Sequence, residues 1–303
     1  MQGQYLAAAA AAALCVLCLR PAAAEPTAGA GAAGAESADA ATHPGGRAHP
    51  GPRKIQLAAV RRGQAPVPAR LTRDVPGILA GEARAARRKR VFFKTVLPAV
   101  LRANAQIRRD RGFLAHVAAR RATGAGLDPA ARRRLAHLAR RYETKPGNLA
   151  TLRRRVDVVP PSLALAQAAI ESGWGSSRFA QKANALFGQR AYDCGSCGLT
   201  PKGYDSDPGF RVRGFPTVMA SVQAYMHNLN THRAYRNFRV RRHAARREGR
   251  PLDAPALAGG LTRYSERRGA YVRDVRRTIR ANDLTDFDSA RLAQGPRLSS
   301  YRR

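Results

Sequence analysis

The side chain in this sequence best suited to acid–base chemistry is Glu171, which closes an Ala- and Ile-rich run beside Trp174, the one tryptophan of the chain. Apolar surroundings disfavour a charged carboxylate, so such a group holds its proton closer to neutral pH than an exposed glutamate does. A protonated carboxyl can hand that proton to a poor alkoxide leaving group. Cleavage of a glycosidic bond has that first need, and a second carboxylate or a bound water then supports the oxocarbenium character of the sugar. Acids are scarce here, since only Glu171 and Asp193 interrupt the run from Pro160 to Tyr204. Taken alone, a glutamate at the end of an apolar helix is more often a cap or the partner of an arginine.

The elements that must position Glu171 can be read from periodicity. Pro160 and Pro161 open a helix in which Leu163, Ala166 and Ile170 form a core stripe, while Gln167 and Glu171, four apart, share another face. Gly173 and Gly175 end it around Trp174, and Ser176 is placed to cap a short helix running through Ala183. Residues 188 to 216 hold the sheet-like stretch, with turns at Gly203, Pro208 and Gly209 and alternation from Phe210 to Arg213, which predicts a short hairpin. Helices return at about 217–231, 233–248, 253–262 and 268–282. Upstream, Val91, Phe92, Val96, Leu97 and Val100 recur at helical spacing, and Pro98 is expected to kink or divide that helix. Asp128 and Pro129 start another, with Leu135, Leu138 and Tyr142 as its apolar face. The class is mainly α with a small β element.

Composition bounds the rest. The 303 residues carry 54 Lys+Arg against 20 Asp+Glu, a net charge of +34, and only six of the bases are lysine. A field of that sign attracts anionic envelope polymers or nucleic acid, although solvated arginine is the plainer account. No helix-turn-helix, zinc finger or aromatic RNA-binding motif accompanies the charge, so no specific nucleic-acid partner is expected. Residues 1–24 read as a signal peptide: an apolar stretch from Leu6 to Leu19, a break at Arg20 and Pro21, and small residues before Glu25. Its first five residues lack a Lys or Arg, which leaves an uncleaved anchor as the alternative. Residues 25–73 read as a disordered low-complexity linker, 74–145 as a helical extension, 146–284 as the catalytic domain and 285–303 as a basic flexible tail. In an oxidising compartment Cys194 and Cys197 favour a local disulfide over free thiols. A zinc site lacks its further ligands, and His227, His232 and His243 form no ligand set, so neither metal nor cofactor is expected.

Several runs together resemble the glucosaminidase family (glycoside hydrolase family 73): V-D-V-V-P at 156–160, S-L-A-L-A-Q-A-A-I-E-S-G-W-G at 162–175, S-R-F-A at 177–180 and N-A-L-F-G at 184–188. N-L-N-T-H at 228–232, A-Y at 234–235, G-L-T-R-Y-S-E-R at 260–267 and A-Y-V at 270–272 extend the likeness, as does the stretch from Phe92 to Asn104. The likeness covers roughly 87 to 284. It implies a lysozyme-like fold, a helical lobe and a small β-hairpin lobe flanking a glycan groove, and hydrolysis of the β-1,4 bond between N-acetylglucosamine and N-acetylmuramic acid in peptidoglycan. A lytic transglycosylase on the same fold and a non-catalytic wall-binding protein are the alternatives. It further implies Glu171 as general acid and an envelope or periplasmic location in a Gram-negative bacterium. The family's second carboxylate is usually a β-lobe Glu, whereas no Glu occurs here between Glu171 and Glu248. Asp205 in the predicted hairpin is the preferred substitute, ahead of Asp207 and Asp193, with substrate assistance as the other route. Tyr264 matches a cleft-facing tyrosine, and Trp174, Asn184, Phe187 and Gln167 are the expected substrate-binding side chains.

Overall fold

The computed structural model describes residues 55–191, 199–200 and 211–293. Among these the architecture is mainly α, as expected. In chain order the helices are α1 (Leu57–Arg61), α2 (Ile78–Gly81), α3 (Ala85–Ala122), α4 (Pro129–Arg141), α5 (Leu149–Arg155), α6 (Pro161–Ser172), α7 (Arg178–Ala183), α8 (Val218–Thr231), α9 (Arg236–Arg247), α10 (Ala254–Ala258) and α11 (Gly269–Ala281). Single 3-10 turns occupy Arg233–Tyr235 and Leu284–Phe287. No helix among the described residues is long and apolar enough to cross a membrane.

The organising element is α6. After Pro161 its residues are Ala, Leu and Ser with one Gln, one Ile and one Glu, and the many alanines carry little bulk, so neighbours can close in on every side. They do: α3, α10, α11 and the 284–287 turn all pack on it. Every residue of α6 is buried except Ile170, which is half-buried. The expected division into a core stripe and a polar face is therefore corrected. Gln167 and Glu171 face protein, not water, and Ile170 is the outermost position.

The N-terminus of α6 is capped at long range. Pro160 and Pro161 have no N–H to offer, and the first free donors are on Ser162. Its N–H donates to Asp288 Oδ1 at 2.8 Å and its hydroxyl to Asp288 Oδ2 at 2.7 Å. A negative group here also meets the positive end of the helix dipole. Burial raises the Asp288 pKa to about 6, the two Ser162 donors oppose that rise, and Asp253 adds to it.

Helix α3 spans 38 residues, about 57 Å at 1.5 Å per residue. Pro98 lies inside it without dividing it. The hydrogen bond lost there is offset by packing, because every residue from Thr95 to Leu101 is buried against the core. Asp128 caps α4 by accepting from Ala131 N at 2.8 Å, and Leu135, Leu138 and Tyr142 are buried as the pattern required. Helix α7 is capped by Ser177, one residue later than expected, since Ser176 is engaged with the Gly173 carbonyl.

Two boundaries move. Residues 57–73, assigned to a linker by composition, include α1 with its buried Val60 and the buried Val67. Val67 forms a parallel bridge with Leu292, its N–H donating to Arg291 O at 2.8 Å. Residues 285–290, assigned to a tail, carry the fully buried Phe287, which follows the buried Leu284 at the end of the catalytic domain. Arg61 fastens the two ends: its guanidinium donates to Asp283 O at 2.6 Å and Asn282 O at 2.9 Å and lies 4.4 Å from the Phe287 ring centre. Composition missed both because few apolar side chains do the work and their partners are over 200 residues away.

The expected hairpin lies partly outside the described residues. What is described there is two isolated antiparallel bridges from Val212, to Arg190 and to Leu199.

A buried ionic cluster pins α3 and α9 to the segment between α5 and α6. Asp157 is 2% exposed and pairs with Arg246 at 3.1 Å, Arg111 at 3.4 Å and Arg242 at 3.8 Å. Burial pushes the carboxyl pKa up, but the three arginines outweigh it and hold it below the ordinary aspartate value. Arg242, itself fully buried, also donates to the carbonyls of Asp157 and Val158 at 3.0 Å. Removing one partner of a buried pair strands the other charge, which costs roughly 3–5 kcal/mol. Asp157→Asn is therefore expected to lower the stability measured by denaturant unfolding at pH 7 by that order. A carboxylate with a depressed pKa stabilises above its unfolded pKa and loses this as pH falls through the folded one. The gap between wild type and variant should accordingly narrow under acid.

Candidate active site

Glu171 occupies the last turn of α6, where Gly173, Trp174 and Gly175 follow with φ of 57°, 60° and 81°. Three successive residues in the left-handed region turn the chain sharply away. A Cβ on Gly175 would meet Leu79 Cδ1 at 2.8 Å, so α2 seats directly on that turn. Trp174 is half-buried and edge-on to Phe92 and Phe93 at 5.5 and 5.7 Å, with Lys89 Nζ 5.0 Å from its ring centre. The structure thus ties the tryptophan to α3, and the turn behind Glu171 is held by aromatic packing.

The Glu171 side chain is 5% exposed, and its Oε1 has no hydrogen-bond partner among the described residues. Burial raises its pKa to about 7, against the opposing pull of the Tyr271 hydroxyl and of Arg267. Its position in the last turn, at the negative end of the helix dipole, works in the same direction as burial. Arg267 does not lock it, since that guanidinium pairs with Asp274 at 2.7 Å. The group is consequently a carboxyl able both to carry and to release a proton around neutrality.

Beneath it lies a tyrosine-lined floor. Tyr225 O–H donates to Gln167 Oε1 at 2.7 Å, and Gln167 Nε2 donates to the Tyr271 oxygen at 2.9 Å. That leaves the Tyr271 hydrogen for Glu171. Each donor polarises the next in such a chain. Tyr264 stacks on Tyr271 at 5.3 Å and 5°, and its hydroxyl donates to Phe187 O at 3.0 Å. Burial and the neighbouring Glu171 charge push Tyr264, Tyr271 and Tyr225 well above the ordinary tyrosine value, so all three are neutral donors. Gly188, with φ of 59°, passes so close that a Cβ would sit 3.2 Å from Glu171 Oε2. The last residue of N-A-L-F-G is glycine because the carboxylate occupies the side chain's place.

Several expectations are corrected by these positions. Gln167, expected against substrate, is fully buried with its amide held between two tyrosines. Asn184 is likewise inward: its oxygen accepts from Val75 N at 2.9 Å and its amide donates to Asp74 and to Phe215 O. Phe187 is core, stacked on Tyr225 at 3.9 Å and 7°. Tyr264 is brought beside the Glu171 floor. Tyr225, Tyr271 and Gly188 belong to the site although sequence reasoning assigned them no role. The one sequence signal near them is Gln167, which shares a helix face with Glu171 but does not say which side chains meet that face. Asp205, Asp207, Asp193, Cys194 and Cys197 lie outside the described residues. No cluster of three or more His, Cys, Asp or Glu among the described residues is fit to hold a metal ion.

The sequence that carries this constellation is similar to a known family. Residues 148–284 match the model of the glucosaminidase family, described as mannosyl-glycoprotein endo-beta-N-acetylglucosaminidase. The chain is similar to protein bax of Escherichia coli (strain K12), at 37% identity over 193 residues, covering 61% of this chain and 66% of that protein. The match thus spans just under two thirds of that relative's length. No solved structure matches.

The Tyr271 hydroxyl stabilises the charged form of Glu171, so its removal favours the neutral form. In Tyr271→Phe, an NMR titration of the Glu171 carboxyl is expected to show a pKa above the native value of about 7. An unchanged or lower value would mean that the hydroxyl does not reach the carboxyl.

Proposed function

We propose that the chain is an exported peptidoglycan hydrolase that cleaves the β-1,4 bond between N-acetylglucosamine and N-acetylmuramic acid, with Glu171 as general acid. The observation that carries this reading is the state of Glu171: a carboxyl desolvated at a helix end, pushed to about 7, with one oxygen left unpartnered above a floor of neutral tyrosines. A glycosidic oxygen arriving at Oε1 would find a proton available and no competing acceptor. The family match supports a glycan substrate. Tyr264 and Tyr271 orient the acid from below, and Trp174 holds the turn that ends its helix. Asp205 is the proposed second carboxylate. The apolar stretch from Leu6 to Leu19 supports export to the envelope, where the substrate is found.

A second reading has one observation in its favour. Among the described residues, the only charged side chain perturbing Glu171 is Arg267, so a carboxylate partner is not among them. A lytic transglycosylase works with a single glutamate, and the products distinguish the two. Purified mature protein incubated with sacculi should release chains with reducing-end N-acetylglucosamine. Anhydromuramic ends on mass spectrometry would establish the transglycosylase instead, and intact sacculi would leave a wall-binding protein.

Two quantitative outcomes follow from the acid's role. Glu171→Gln should reduce the rate by about 10²–10⁴-fold, the usual worth of a positioned acid. The native rate should fall on the alkaline side as pH passes about 7, because the acid must hold its proton to act. A rate still rising at pH 9 would contradict that role.

A further inference from the structure

Away from Glu171, the surface between the C-termini of α4 and α5, the end of α8 and the start of α9 encloses a cavity of roughly 490 Å3 that opens to solvent. That size accommodates a small ligand or a short peptide. Its walls include Arg155, Arg233, Arg236 and Arg239, with Glu143 the one carboxylate among them. The sequence produces this crowding, since three of the arginines recur at every third position through the 233–235 turn into α9.

The arginines are held in place and not merely gathered. Arg155 donates to the carbonyls of Tyr142 at 2.6 Å and Glu143 at 2.8 Å. Arg239, 8% exposed, donates to those of Leu229 at 2.9 Å and His232 at 2.8 Å. Those bonds go to neutral carbonyls, and the one carboxylate at hand, Glu143, lies 4.0 Å from Arg155, so the guanidiniums outnumber it. Burial, with Arg155, Arg154 and Arg236 nearby and only Glu143 opposing, lowers the Arg239 pKa to about 10. The Arg236 side chain is exposed and makes no hydrogen bond or ion pair among the described residues. A fold that tolerates such repulsion gains most from a bound anion, and planar guanidinium forks suit carboxylates.

The cavity also adjoins the floor beneath Glu171. His232, on its rim, is 5.7 Å from the Tyr235 ring centre, and Tyr235 is 5.7 Å from Tyr264, which stacks on Tyr271. One buried ring separates the two sites.

We propose that this arginine cavity binds the carboxylates of the peptide stems borne by the glycan substrate, so that the chain grips the wall by its peptides while its acid acts on the sugar. The inference rests on the peptidoglycan reading given above. It is tested by calorimetric titration of the full chain with a synthetic tetrapeptide of alanine, γ-linked glutamate, diaminopimelate and alanine. Arg236→Glu is expected to weaken binding about tenfold or more, the worth of one charge-assisted hydrogen bond. Arg247→Glu makes the same change of net charge at the far end of α9 and should alter binding less than twofold. Circular dichroism would show both variants folded, as both positions are exposed. No binding of the peptide, or equal losses in the two variants, overturns the proposal. Inorganic phosphate bound with the same Arg236 dependence while the peptide is not overturns it in favour of a phosphate site. Digestion of sacculi reports separately: Arg236-dependent peptide binding with intact sacculi keeps the cavity and rejects the hydrolase, and the converse rejects the cavity alone.

Discussion

A carboxyl group in a place that does not want its charge is the constraint on which this structure turns. Glu171 has been taken from water at the negative end of a helix, and the one arginine that acts on it, Arg267, is paired with Asp274 instead. An isolated buried carboxylate is costly enough that the group shifts its pKa in preference to staying ionised. The surroundings then have to keep it from escaping. Helix α6 is enclosed on all sides, its far end is tied to Asp288, and its near end is turned by three left-handed residues under Leu79 and the Phe92–Phe93–Trp174 cluster. The same helix carries a carboxyl at each end. The one at the N-terminus is satisfied by Ser162, while the one at the C-terminus is left wanting a partner.

The contrast with Asp157 shows that this is selective. Both acids are buried, yet Asp157 is met by three arginines and held ionised, whereas Glu171 is met by tyrosines and held near its titration point. In a chain with so many arginines, excluding them from one pocket is itself a structural achievement. Small and aromatic residues perform it: Gly188 lets the backbone close over the carboxylate, and the stacked rings of Tyr264 and Tyr271 fill the space a longer cation would need.

How legible this was depended on range. The helix bearing Glu171, its glycine stop, the Asp128 cap and the later helices follow from local spacing, and the structure agrees with them to within a few residues. Periodicity assigns a face but not what covers it, and for that reason Gln167, expected against substrate, is instead enclosed between two tyrosines. A helix enclosed on every side has no polar face to find. The site's tyrosines come from α8, α11 and the loop between α10 and α11, and nothing local marks Tyr225 or Tyr271 as neighbours of Glu171. Asn184 looks like a groove residue by type, but its left-handed backbone and its three partners make it a joint between 74–75, α7 and Phe215. The ordered stretch from 57 to 73 was illegible because its composition is that of a linker and its few anchors pair with residues near 290.

That last pairing shapes how the folded body hangs in its surroundings. With Val67 hydrogen-bonded beside Leu292 and Arg61 clasped over Phe287, the chain enters and leaves through one doorway. The first and last described segments therefore share one site on the folded body. The two flanks also stand or fall together: prising away the leading strand bares the same aromatic cluster that the trailing one covers, making sequence-distant ends a single cooperative latch.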